Sequence, residues 1–155
     1  MPQGETRSTE QKFITFSLGD EDYGIPVLEV LEIVRIENLI RVPHARDYLM
    51  GMMDIRGHVI PILDLRKKLQ MESLDGTRER AILIAVGNRR VGLAVDRVAH
   101  VRSFSADSID EGPPVLRSAA NRHVIGVGKA GDQFIVLMSL ENLFAADEVE
   151  QFFDR

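Results

Sequence analysis

The sequence predicts a mostly β protein built from two small, closed or nearly closed barrels lying side by side, and three observations carry that expectation. Most apolar segments are short runs of Val, Ile, Leu and Phe bounded by Gly, Asn or Asp, too short for typical helices. The two halves of the chain overlay in a constant register. Glycines recur at matched places in both halves, where tight turns between strands need them.

Taken in order, residues 1–11 are polar and read as a disordered tail. "FITFSL" is the first strand, and "GDEDYG" is a solvated hairpin turn, since its bunched acids lack the ligand spacing and distal Glu of a calcium loop. A second strand and an irregular apolar stretch follow, then a hairpin within "YLMGMMDIRGHVIPILDL". The polar break "QMESLDGTRER" near the midpoint separates a first half at about 12–72 from a second at about 80–145. "RAILIAV", "RVGLAV", "HVIGV" and "FIVLM" are the strands of the second half. In the closing "SLENLFAADEVEQFFD", Leu140, Leu143 and Phe144, then Val149, Phe152 and Phe153, suit one or two short amphipathic helices, with 146–155 as a helical tail.

The repeat is specific. "LGDEDYGIPVLEVLEI" lies over "VGNRRVGLAVDRVAHV" at a fixed offset, since 87 − 19 and 92 − 24 are both 68. Gly19 matches Gly87, Gly24 matches Gly92, Val30 matches Val98, and Ile33 matches Val101. Tyr48–Leu65 likewise lies over His123–Leu140, with Gly51 on Gly126. In "HVIPILDL" both strand faces are apolar, and one barrel buries only one of them. The other face meets the sister barrel or a partner, and Pro61, lacking an N–H, argues for an edge or a bulge.

Composition narrows the function classes. The 155 residues are 45% hydrophobic, enough for one ordinary domain or two very small ones. With no cysteine there is neither a disulfide framework nor a thiolate nucleophile, and a cytoplasmic location is expected. The formal net charge of −5 is the wrong sign for phosphate neutralisation, so nucleic acid is not an expected partner. No apolar run approaches the roughly 18–20 residues that span a bilayer, so no membrane insertion is expected.

No residue pattern volunteers for catalysis. Gly126-Val-Gly128-Lys-Ala-Gly131 satisfies GxGxxG, but it runs into "DQFIVLM", a strand, whereas dinucleotide binding needs a helix there. A hairpin is the better reading, and a nucleotide-binding enzyme the weaker alternative. His44, His58, His100 and His123 are widely spaced, without a metal-ligand pattern. The serines include no Gly-x-Ser-x-Gly, while Asp54, Asp64 and Asp96 flank apolar runs, where a carboxylate ends a strand by accepting from backbone N–H groups. Neither a metal nor a cofactor is expected.

The string "DIRGHVIPILDLR" resembles the N-L-R-G-x-V-I-P-V-x-D-L-R pattern of the CheW-like chemotaxis coupling proteins, and "FSLGDEDYGIPVLEVLEI" resembles their upstream signature. "VPHARDYLMG", "RVGLAVDRV" and "GVGKAGDQFIVLMSLENLF" are similar to further family segments in the same order, so the resemblance covers about 12–144. It implies two intertwined five-stranded SH3-like barrels with a groove between them, and an adaptor without catalytic activity. The implied partners are the regulatory domain of a CheA-type histidine kinase, at barrel-end surfaces, and the cytoplasmic hairpin tip of chemoreceptors, in the groove. Recruitment to membrane-associated receptor arrays is implied as well. The family's sensitive positions fall on Val30, Glu32, Arg56, Gly57, Val98 and Val101 as protein-binding residues, and on Gly51, Gly92 and Gly126 as structural turns.

Chemistry assigns roles to these positions. Arg56 at an exposed turn can bond carboxylates in a bidentate fork, with Glu32 as its candidate partner, and Gly57 permits the backbone conformation. Val30, Val98 and Val101 line an apolar groove or belong to plain core. The chain departs from the family pattern at Asp54, where Asn is usual, and at Arg46, where Pro is common. The extra carboxylate at Asp54 pairs with Arg56 or alters which receptor is preferred. A CheW-like scaffold in a non-flagellar pathway, such as surface sensing or pilus motility, is the alternative within signalling.

Overall fold

The computed structural model describes residues 10–43, 45–71, 78–112, 122–145 and 147–153. Eleven strands are present among them: β1 Gln11–Leu18, β2 Glu21–Pro26, β3 Val30–Arg35, β4 Leu49–Ile55, β5 His58–Asp64, β6 Arg80–Val86, β7 Arg89–Val95, β8 Arg97–Phe104, β9 Ile109–Asp110, β10 Val124–Ala130 and β11 Gln133–Met138. One α-helical turn, α1 Leu65–Lys68, follows β5, capped by Asp64 accepting from the N–H groups of Arg66 and Lys67.

The strands form two sheets. Sheet A has the order β8-β1-β2-β11-β10-β9, and sheet B the order β3-β6-β7-β5-β4. With the repeat offsets applied, β8, β1, β2, β11 and β10 correspond to β3, β6, β7, β5 and β4, so both sheets share one topology. Irregularities repeat too. The register shifts between Val30 and Glu32 against β6, and at the matching place of β8 against β1. It shifts again between Leu49 and Gly51, and between Val124 and Gly126. Sheet A has six strands rather than five only because β9 is two residues long; its counterpart in sheet B is the single bridge Ile40 to Met52.

The sheets do not follow the halves at 12–72 and 80–145. The β1–β2 hairpin pairs with β8 and β11 of the second half, and the β6–β7 hairpin pairs with β3 and β5 of the first. The hairpins are exchanged because equivalent strands carry the same apolar alternation, so either sheet accepts either hairpin. The N-terminal boundary also moves: Gln11 already pairs with Phe104 in β1, while residues 1–9 lie outside the described residues.

Exchange explains the apolar excess. Each unit has its own interior, Met53, Ile55, Ile60, Ile62 and Leu83 in sheet B, and Phe13, Phe104, Ile135 and Leu137 in sheet A. A larger cluster between the sheets joins Phe16, Leu18 and Ile25 to Leu63, Leu65, Ile82, Ile84 and Leu93. Strand β5 therefore buries Ile60 and Ile62 on one face and Leu63 on the other, as strand alternation requires. Pro61 is not on an edge strand. Its partner Met52 directs both backbone groups to Ile40, so the imide nitrogen faces β7, where the parallel ladder starts only at Ile62.

The expected C-terminal helices are 3-10 turns, Leu140–Asn142 and Glu150–Phe152, and the segment is not a separate tail. Leu140, Leu143, Phe144 and Val149 are buried in the central cluster, so the apolar spacing is satisfied by packing without a continuous helix.

Candidate functional site

The β4–β5 turn is the most distinctive local feature. Ile55 pairs with His58, leaving Arg56 and Gly57 as a two-residue loop with φ of 51° and 88°. Positive φ at both positions is the type I′ pattern, which matches the twist of a hairpin and favours Asn-Gly over Arg-Gly. Holding a non-glycine residue there costs about 1–2 kcal/mol. Asp54 accepts from the Gly57 N–H at 2.8 Å, so its carboxylate closes the turn, while Arg56 pairs with Glu32.

That ion pair spans the sheet. Glu32 lies on β3, at one edge of sheet B, and Arg56 at the tip of the hairpin that forms the other edge, so the pair ties the two edges together. The Arg56 side chain remains 69% exposed. Beside it lies a shallow depression of 710 Å³, bordered by Val34, Asn38, Ile40, Met53 and Asp54.

The remaining expected residues divide into groups. Val30 and Val98 are half-buried and pack against the central cluster from equivalent positions. Val101 does not join them. It pairs with Ile14 on the edge strand β8 and is 51% exposed, because the register shift on β8 turns it outward, as it does the equivalent Ile33 on β3. A Cβ on Gly51 would stand 2.7 Å from the Ile40 carbonyl oxygen, and one on Gly126 would stand 2.7 Å from that of Asp110, so both serve the same close backbone approach. Gly92 faces Ile62 in the parallel ladder. Among the histidines, His58 and His100 are exposed on different sheets and His44 lies outside the described residues. His123 is half-buried, and burial together with the nearby Lys68 ammonium lowers its pKa. The GxGxxG stretch passes from β10 into β11 as a hairpin.

Sequence reasoning missed Leu28, 98% exposed in the 3-10 turn before β3, and Leu31 beside it. The repeat held the signal. At an offset of 68, Leu28 and Leu31 stand where the second half has Asp96 and Ala99, and Glu32 stands where it has His100. In the later block Arg56 stands where it has Gly131. The halves thus diverge along the edge strand β3 and at the β4–β5 turn that pairs with it: Leu28 just before β3 and Leu31 at its start are exposed, and Glu32 on the same strand meets the strained arginine.

The CheW-like domain family model matches residues 12–148. The chain belongs to the CheW-like family. It is 32% identical over 147 residues to the chemotaxis protein CheW of Klebsiella aerogenes, covering 94% of this chain and 87% of that one. It is 34% identical over 122 residues to the protein FrzA of Myxococcus xanthus, covering 78% and 76% of the two chains. The crystal structure of the scaffolding protein TtCheW from Thermoanaerobacter tengcongensis superposes with a TM-score of 0.78 at 29% identity, covering 89% of this chain and 94% of that one. The fold is accordingly the pair of SH3-like β units found in CheW-type chemotaxis scaffolds. Among the described residues of this CheW-like chain, no helix is long and apolar enough to cross a membrane.

Proposed function

We propose that the chain is a non-enzymatic adaptor that couples chemoreceptors to a CheA-type histidine kinase. The observation that carries this reading is the corner of sheet B. A solvent-facing arginine is held in a conformation that disfavours it and is paired with Glu32 on the edge strand β3, which follows the fully exposed Leu28, and strain kept at an exposed turn is a mark of function. Arg56, Gly57 and Glu32 then form the recognition corner for the kinase regulatory domain, itself CheW-like. Val30, Val98 and Val101 contribute to the surface that receives the helical hairpin tip of a receptor, while Gly51, Gly92 and Gly126 hold the strands in place. In this role the protein works in the cytoplasm, recruited to arrays beneath the membrane.

The direct experiment measures binding of the purified chain to a kinase regulatory domain and, separately, to a receptor hairpin fragment. Leu28→Ser, at a fully exposed site with no fold role, is expected to lose about 1–3 kcal/mol toward one of the two. Undiminished binding to both removes this corner from the interface. A second reading, a scaffold in a non-flagellar chemosensory pathway, is favoured by the 34% identity to FrzA. Exchange of receptor fragments between pathways separates the two.

A further inference from the structure

The segment after β11 does more than end the chain. It leaves sheet A at the 3-10 turn Leu140–Asn142, and residues 148–153 then contact Arg46, Tyr48, Lys68 and Arg89 of the sheet B unit. Glu148 is buried, and its carboxylate collects three donors: the Tyr48 hydroxyl, the Lys68 ammonium at 2.7 Å and the Ala145 N–H at 3.0 Å. Tyr48 precedes β4 and Lys68 ends α1, so a carboxylate carried by the sheet A end of the chain is pinned to sheet B.

Further contacts continue the same way. Val149 is buried in the cluster between the sheets. Phe152 stands edge-on to Tyr48 with ring centroids 6.0 Å apart, and Phe153 lies under the Arg89 guanidinium at 4.1 Å. Arg89 also pairs with Glu150 at 3.1 Å, and Arg46 donates to Gln151 at 2.6 Å. Arg46, Tyr48, Lys68 and Arg89 all belong to the sheet B unit. The repeat offers no copy of this arrangement, because Tyr48 corresponds to His123, Lys68 to Leu143 and Arg89 to Glu21.

We propose that residues 147–153 form a latch that fixes the mutual geometry of the two sheets, with Glu148 as its pin, and that signal transfer between partners on different sheets requires the latch closed. The functional half rests on the adaptor reading; the mechanical half does not. Two bodies joined by a central cluster can shear, and a buried, three-donor carboxylate at the seam opposes such sliding because any displacement leaves it unpaired.

The test uses the full chain, which has no cysteine of its own. Spin labels at Ala85→Cys on β6 and Phe134→Cys on β11, both exposed, report the distance between the sheets. The otherwise unaltered chain is expected to give one narrow distance distribution, and Glu148→Ala to broaden it about twofold. Glu148→Gln, which still accepts from Tyr48 and Ala145, is expected to fall between. Tyr48→Phe keeps the ring and removes one donor, and serves if Glu148→Ala does not fold. A distribution in the folded Glu148→Ala or Tyr48→Phe protein as narrow as in the parent overturns the latch. In reconstituted kinase assays, Glu148→Ala is expected to bind kinase and receptor fragments separately as the parent does, yet to lose most receptor-dependent activation. Full activation alongside a broadened distribution overturns the functional half. A parent chain that activates no kinase overturns the adaptor reading and that half with it, while the distances still decide the latch.

Discussion

Arg56 is where the requirements of the hairpin and the side chain present pull apart. A type I′ turn takes Asn-Gly most readily, so Arg56→Asn relieves backbone strain of about 1–2 kcal/mol. It also removes an exposed ion pair worth at most about 1 kcal/mol. The expected result in urea unfolding is stability equal to the parent or higher by up to about 2 kcal/mol; a clear loss would make Arg56 chiefly a brace for sheet B. Gly51 and Gly126 behave in the opposite sense. Alanine at either drives a Cβ into a backbone carbonyl, and an overpacked site of this kind costs about 1–3 kcal/mol, measurable by the same urea unfolding. Unchanged unfolding curves for both variants contradict the close approach.

At the scale of elements, the C-terminal strap gives stability a definite pH dependence. Burial pushes the Glu148 carboxyl up, but bonds from Lys68, Tyr48 and the Ala145 N–H outweigh it and hold the pKa below the ordinary carboxylate value of 4.5. A carboxyl lowered on folding stabilises the protein fully above that ordinary value and stops doing so as pH falls through the lowered one. His123, lowered by burial and by Lys68, acts in the same direction, its contribution fading as pH falls below 6.5. Tyr48 is raised above 10.0 by burial and by its bond to Glu148, so its contribution is full below pH 10 and fades above it. Thermal melts are therefore expected to fall on both sides, first below pH 6.5, and Glu148→Gln is expected to flatten the limb below pH 4.5. An acid limb unaltered by that substitution contradicts the assignment to Glu148.

Across the whole molecule, the duplication was legible because glycines and apolar positions recur at fixed offsets, and the turns of the later hairpin in each half, at Arg56-Gly57 and Gly131-Asp132, lie where the overlay puts them. The exchange of hairpins between sheets was not legible, since equivalent strands carry the same alternation and pattern alone does not choose a partner. Pro61 misled because its missing N–H meets the start of a ladder rather than an edge. The pairing of Arg56 with Glu32 was readable from residue types, and Leu28 from its divergence between the repeats, whereas the strap was not, because a latch is set by what lies beside it in space. Exchange also leaves a seam held by charge. Asp96 accepts from the Gly19 N–H at 2.6 Å and from Arg66 at 3.0 Å, linking the β1–β2 turn of sheet A to the end of β5 in sheet B. Asp96→Ala, which strips a carboxylate from the buried Arg66, is expected to destabilise by about 3 kcal/mol in urea unfolding. Wild-type stability in that variant would show the seam to be held by the central cluster alone.

On this reading an exposed, strained arginine on one edge of a duplicated β scaffold serves coupling rather than folding. Receptor-dependent activation of a CheA-type kinase, reconstituted with the parent chain or with Arg56→Asn, tests it most directly. A folded Arg56→Asn protein is expected whose activation falls about tenfold or more, the loss of one interface anchor. Full activation by that variant would contradict it.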